Sequence, residues 1–182
     1  MSKHGNLVWI DLEMTGLDAT KDTILEIATI ITDSQLNILQ EGPHFVIHQP
    51  DTLLNNMNPW VAECHTKSGL IDAVRASKNT LQEAGQQTLA FIQQWCQPQK
   101  GVLAGNSIWQ DRAFLAHNYP ELVAYLHYRQ IDVSSIKELV NRWYPRHDPK
   151  VIEKKDHHRA LDDIKESIEE LKYYRKHFFV AN

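Results

Sequence analysis

Two acids one residue apart, Asp11 and Glu13, sit in the run Leu7-Val8-Trp9-Ile10-Asp11-Leu12-Glu13-Met14. The run alternates: Val8, Ile10, Leu12 and Met14 fall on one side, Leu7, Trp9, Asp11 and Glu13 on the other. It therefore reads as a strand with both carboxylates on one face. Two ionised carboxylates side by side repel each other. A divalent cation turns that repulsion into a binding site, because hard ions such as Mg²⁺ and Mn²⁺ prefer oxygen ligands. The plainer alternative is a wet strand face with both acids solvated, and the pair alone does not decide between the two.

Later segments carry further acids. Val102-Leu103-Ala104 reads as a short buried strand, Gly105-Asn106 as a turn, and Ser107 as the N-cap of a helix running to about His117. Asp111 then lies one turn inside that helix. It either complements the helix dipole or joins the acids of the first strand. Further on, Asp156-His157-His158-Arg159-Ala160-Leu161-Asp162-Asp163-Ile164 leads into a helix with apolar residues at Ala160, Leu161, Ile164, Ile168 and Leu171, an amphipathic spacing. At about 100° per residue the apolar arc centres near Ile164 and Leu171. Asp162 falls opposite that arc. Asp163 falls at its edge, beside Ala160 and Ser167, and faces the body of the protein.

In order, the three segments read Asp-x-Glu, Asp and His-x4-Asp. That order resembles the DEDDh exonucleases, named for four acids and a histidine. The likeness narrows to the oligoribonucleases in Trp-Ile-Asp-Leu-Glu-Met-Thr-Gly-Leu, Gly-Asn-Ser-Ile-x-Gln-Asp, His127-Tyr128-Arg129, Asp132-Val133-Ser134 and the closing Asp-Asp-Ile-x-Glu-Ser-x-x-Glu-Leu-x-Tyr-Tyr-Arg, and it runs from about residue 6 to residue 179. The resemblance implies a ribonuclease-H-like α/β fold. It also implies 3′-to-5′ hydrolysis of very short oligoribonucleotides, down to dinucleotides, to 5′-mononucleotides. Asp11, Glu13, Asp111 and Asp163 would hold two divalent ions, Mg²⁺ or Mn²⁺. His158 rather than His157 would be the general base, since it stands five residues before Asp163. Two such ions activate the attacking water and stabilise the leaving 3′ oxygen, and a histidine titrating near neutrality accepts the water's proton.

The same resemblance implies that Leu17 and Trp60 sandwich bases, that His65 touches substrate, and that Ser107, Arg129 and Ser134 close around the phosphate end of a very short strand. Trp60 follows Asn58-Pro59, so packing at a helix start is the alternative for it. Tyr128 reads either as a packing tyrosine or, as the resemblance implies, as a residue delivered to the site of a second subunit in a homodimer. The aromatics Tyr173, Tyr174, Phe178 and Phe179 are candidate contact surface for such a dimer. Trp109 and Gln130 depart from the oligoribonuclease pattern.

Charge narrows the substrate independently. A formal net charge of −4 and a pI near 6.2 do not suit a protein that grips long nucleic acid through many phosphates. The lysines and arginines are scattered, densest at Lys154-Lys155 and from Lys172 to Lys176. An acidic nuclease with few phosphate clamps suits single-stranded RNA with few phosphates. A proofreading subunit would call for a polymerase-binding tail and a structured-RNA trimmer for a basic stripe, and the sequence displays neither. A non-catalytic RNA-binding module would have lost a ligand, yet all four acids and His158 remain.

The elements that must position these residues read as strands over 6–14, 23–32, 36–48, 101–105 and about 129–133. Helices are expected over 66–77, 80–96, 107–117, 134–143 and 159–177. Strands first, then alternating helices and short strands, predict a mixed central sheet flanked by helices. The 182 residues form one expected domain, 1–182. Glu26, inside an apolar strand, reads as structural. The segment 144–157 reads as a loop that delivers His158. No run of apolar residues is long enough to span a membrane. Cys64 and Cys96 lack metal-ligand spacing and suit a reducing cytoplasm.

Overall fold

The computed structural model describes residues 5–145 and 159–180. Its framework is a mixed five-stranded sheet in the order β3-β2-β1-β4-β5. The strands are β1 (Leu7–Met14), β2 (Ile24–Thr32), β3 (Ile38–Val46), β4 (Val102–Gly105) and β5 (Gln130–Asp132). The first three form an antiparallel meander, and β4 and β5 then add in parallel to β1. This central position makes β1 the strand on which everything else registers.

Alternation along β1 divides the core in two. Val8, Ile10 and Leu12 pack with Ala84 and Ile92 of α4 (Leu81–Trp95) and with Phe114 and Leu115 of α5 (Trp109–Asn118). Leu7 and Trp9 pack on the opposite face with Val133 and Val140 of α7 (Val133–Trp143) and Ile164, Ile168 and Leu171 of α8 (Ala160–Phe178). Asp11 and Glu13 continue the second face, so they look toward α8. Trp9 is wholly buried and satisfies its indole N–H on the Thr32 hydroxyl at 3.0 Å, as a buried donor must.

Several expected boundaries move. The helix expected at 66–77 forms only as α3 (Leu70–Ala76), and an unexpected helix, α2 (Pro59–Lys67), precedes it. Gly69 separates them with a φ of 73°, a left-handed conformation that ends one helix where a side chain would be strained. Short helices α1 (Asp51–Leu54) and α6 (Pro120–Tyr125) also form. Ser107 is not an N-cap: its φ is 49°, and its backbone N–H donates to Asp132 Oδ1 and Ser134 Oγ, both at 3.0 Å. Tyr174 is buried in the α8 face of the core, not exposed as contact surface, whereas Phe179 is exposed. Helix α4 begins with a reciprocal Thr80–Glu83 capping box, which satisfies two otherwise orphaned N–H groups. Among the described residues no helix is long and apolar enough to cross a membrane.

Candidate active site

Strand β1 and the first turn of α8 bring three acids together. One carboxylate oxygen each from Asp11, Glu13 and Asp163 lies within 4.8 Å of the others. Helical phase decides which tandem aspartate arrives: Asp163 is half-buried in the cluster and Asp162 is exposed. Across the β1–β2 ladder Asp11 faces Ala28, whose small side chain leaves room above the sheet.

Glu26 sets the height of α8 over this cluster. It is fully buried and is the cross-strand partner of Glu13. Arg159 donates to it through Nε at 2.9 Å and through a terminal nitrogen at 2.7 Å. The Ala160 N–H donates at 3.1 Å and His44 Nε2 lies at 2.6 Å. Burial pushes the Glu26 carboxyl up, but these donors outweigh it and bring the pKa down to about 2. Glu26 is thus an ionised anchor for the start of α8, the structural role its sequence context suggests.

Glu13 behaves oppositely. Burial first, then the charges of Asp163, Glu26 and Asp111, lift its pKa to about 8, against a smaller lowering by Arg159. Three converging hard oxygens, with Glu13 held protonated beside its acidic neighbours, fit a divalent cation, whose charge would stabilise the ionised form. Asp111 arrives from α5, buried, with Oδ1 accepting the Leu12 N–H at 2.9 Å. Burial raises its pKa, opposed by that hydrogen bond. It is docked on the residue between Asp11 and Glu13, beside the three-oxygen group and outside it. His158 lies outside the described residues.

Through Glu13 the cluster adjoins a cleft of about 840 Å³, with Glu13, Leu17, Trp60, Cys64 and His65 in its walls. Leu17 is 75% exposed and Trp60 69%. That exposure removes the helix-start packing role for Trp60, whose helix is instead capped by Asn58 accepting the Trp60 N–H at 2.9 Å. His65 is buried. Its Nε2 lies 2.8 Å from the Met14 carbonyl oxygen, so Nε2 carries the proton, and its Nδ1 lies 3.8 Å from Glu13 Oε2. The Leu17 loop is held rigidly: Thr15 Oγ1 and the Asp18 N–H donate to Asp22 at 3.0 and 2.9 Å. A Cβ added at Gly16 would fall 2.4 Å from an Asp22 carboxylate oxygen, so this close approach requires glycine.

Sequence reasoning missed Gln110, which reaches from α5 to donate to the Leu17 carbonyl at 2.6 Å and ties the loop to the helix bearing Asp111. Its signal was its fixed place in the Gly-Asn-Ser-Ile-x-Gln-Asp segment. Beyond the ends of β4 and β5 the Ser107 and Ser134 hydroxyl oxygens lie 3.2 Å apart. Asp132 joins their backbones by accepting the N–H of Ser107 at 3.0 Å and of Ser134 at 2.9 Å. Arg129 is exposed, its guanidinium 5.3 Å from the Tyr128 ring centre, and among the described residues it donates to neither serine. Tyr128 is 73% exposed and stacks on His127 at 4.6 Å, so among the described residues it packs into no core.

Comparison with known proteins places this geometry. A family model described as Exonuclease matches residues 8–171. The oligoribonuclease of Acinetobacter baylyi is 53% identical over 176 residues, covering 97% of this chain and 96% of that protein. The oligoribonuclease of Vibrio cholerae serotype O1 is 55% identical over 174 residues, covering 96% of each. Among solved structures, the zinc-bound E. coli exonuclease I–ssDNA complex superposes with a TM-score of 0.73 at 16% identity, over 96% of this chain and 41% of that one. The shared fold is the ribonuclease-H-like one expected from the sequence. With segments from both ends of the chain matched in these relatives and three acids converging on one face of β1, the chain belongs to the oligoribonuclease family of exonucleases.

Proposed function

We propose that this enzyme, a nuclease by family, removes nucleotides from the 3′ end of very short single-stranded RNA, down to dinucleotides, and releases 5′-mononucleotides. The observation that carries this reading is the convergence of Asp11, Glu13 and Asp163 at a cleft walled by exposed Leu17 and Trp60. Asp11, Glu13, Asp163 and the adjacent Asp111 hold two divalent ions, Mg²⁺ or Mn²⁺. When bound, such ions lower the pKa of water and stabilise the leaving oxygen. The remaining work falls to the chain itself. Leu17 and Trp60 hold a base between them, a stacking contact worth about 1–3 kcal/mol per base. His65 buttresses the cleft wall beside Glu13 and meets the substrate there. Ser107, Ser134 and Arg129 receive the phosphate end, and His158 accepts the proton of the attacking water.

Residues 1–182 act as one domain, in the cytoplasm, where Cys64 and Cys96 stay reduced. The working form is a homodimer in which Tyr128 serves the partner's site. Its exposure supports that assignment. Digestion of end-labelled RNA and DNA of two to twenty nucleotides, with Mg²⁺, Mn²⁺ or chelator, tests the reading. Metal-dependent release of 5′-mononucleotides, fastest from the shortest RNA and blocked by a capped 3′ end, is expected. Efficient cleavage of 3′-blocked RNA would overturn it.

A further inference from the structure

A chain of hydrogen bonds runs from the buried core to the Ser107–Ser134 pair, and its polarity can be worked out. Ser167 Oγ donates to the Asp163 carbonyl at 2.8 Å, so that oxygen has only lone pairs to offer elsewhere. Glu170 is fully buried; burial raises its pKa, but Lys137, Tyr174 and Asn106 outweigh this and lower it, leaving an acceptor. The Asn106 side chain touches both, Nδ2 lying 2.8 Å from Ser167 Oγ and 3.1 Å from Glu170 Oε2. Two acceptors on one side fix the amide with its NH₂ toward them. Asn106 Oδ1 must then face Ser134, whose hydroxyl donates to it at 3.1 Å. With its proton committed, Ser134 Oγ accepts from the Ser107 N–H at 3.0 Å. Ser107 is held in its left-handed conformation with the one hydroxyl proton of the pair that can turn outward.

We propose that Asn106, oriented by the buried carboxylate of Glu170, is a positioning residue that commits the Ser134 hydroxyl inward and leaves Ser107 to donate to the terminal 5′ phosphate of a short substrate. This rests on the phosphate-end assignment of Ser107 and Ser134 made above, with Ser134 contributing there by holding Ser107 and Ser107 alone of the two serines donating to the phosphate. The consequence is selectivity: the relay acts on a substrate only through its 5′ phosphate, so its loss is felt by phosphorylated dinucleotides alone.

The test compares KM and kcat for a 5′-phosphorylated and a 5′-hydroxyl diribonucleotide. Asn106→Ala should raise KM for the phosphorylated substrate about tenfold, the scale of one hydrogen bond to a charged group. KM for the hydroxyl substrate should stay within about twofold, with kcat unchanged for both. Asn106→Asp sets a carboxylate against Glu170 and should behave likewise. Adding Glu170→Gln to it returns a donor–acceptor pair and should recover the phosphate preference. Equal losses on both substrates, or no recovery in the double variant, would overturn the inference. So would phosphate discrimination lost in Ser107→Ala and retained in Asn106→Ala. If Ser107→Ala treats both substrates as the unaltered enzyme does, the phosphate-end assignment fails and takes the inference with it.

Discussion

Asp111 Oδ1 accepts the backbone N–H of Leu12 at 2.9 Å, a bond between residues 99 apart in sequence that docks α5 on the strand between Asp11 and Glu13. An amide in place of this carboxylate can still accept that N–H, so Asp111→Asn should fold with its melting temperature unchanged or raised, since a buried charge is removed. Activity should fall by several orders of magnitude. Thermal melts paired with a dinucleotide assay check this, and a variant that unfolds would show the carboxylate to be structural.

Without metal, stability should fall as pH rises. The folded protein holds the Glu13 proton to about pH 8, whereas an ordinary glutamate releases it near 4.5. The folded state therefore binds more protons between those values, and its stability declines across that window. Melting temperature measured in chelator from pH 4.5 to 8.5 should show the decline, and Glu13→Gln should flatten it. Saturating Mn²⁺ should flatten it too, by favouring the ionised carboxylates.

The two adjacent aspartates of α8 should separate cleanly. Asp162 is exposed and Asp163 contributes an oxygen to the cluster. Asp162→Asn should retain activity within about twofold, as surface substitutions generally do, while Asp163→Asn loses nearly all of it. Equal damage would mean that the first turn of α8 is rotated in the working enzyme.

Trp60→Ala and Leu17→Ala should each weaken substrate binding with little effect on folding, because neither side chain is packed into the core. A stacking contact of about 1–3 kcal/mol corresponds to a rise in KM of roughly fivefold to somewhat over a hundredfold. Chemical denaturation should place both variants within about 0.5 kcal/mol of the parent.

Mixing inactive Tyr128→Ala and Asp11→Asn proteins under subunit exchange should restore activity, since each mixed dimer regains one intact site. A fully active protein that scatters light as a monomer at assay concentration would exclude the shared-site arrangement.

Much of this protein is local and so was legible in its sequence. Alternation placed Asp11 and Glu13 on one face of β1, and the 3.6-residue repeat of α8 chose Asp163 over Asp162. Both are periodicities of a single element. The features that were misplaced or left without a partner depend on residues distant in the chain. Ser107 looked like a helix cap until Asp132 and Ser134, 25 and 27 residues away, took its N–H. Tyr174 looked like surface until the sheet covered it. Glu26 became an anchor through Arg159, 133 residues on, and Asn106 acquired a direction only when Ser167 and Glu170 supplied acceptors. Burial and hydrogen-bond polarity are set by which elements meet, and only the tertiary structure brings those elements together.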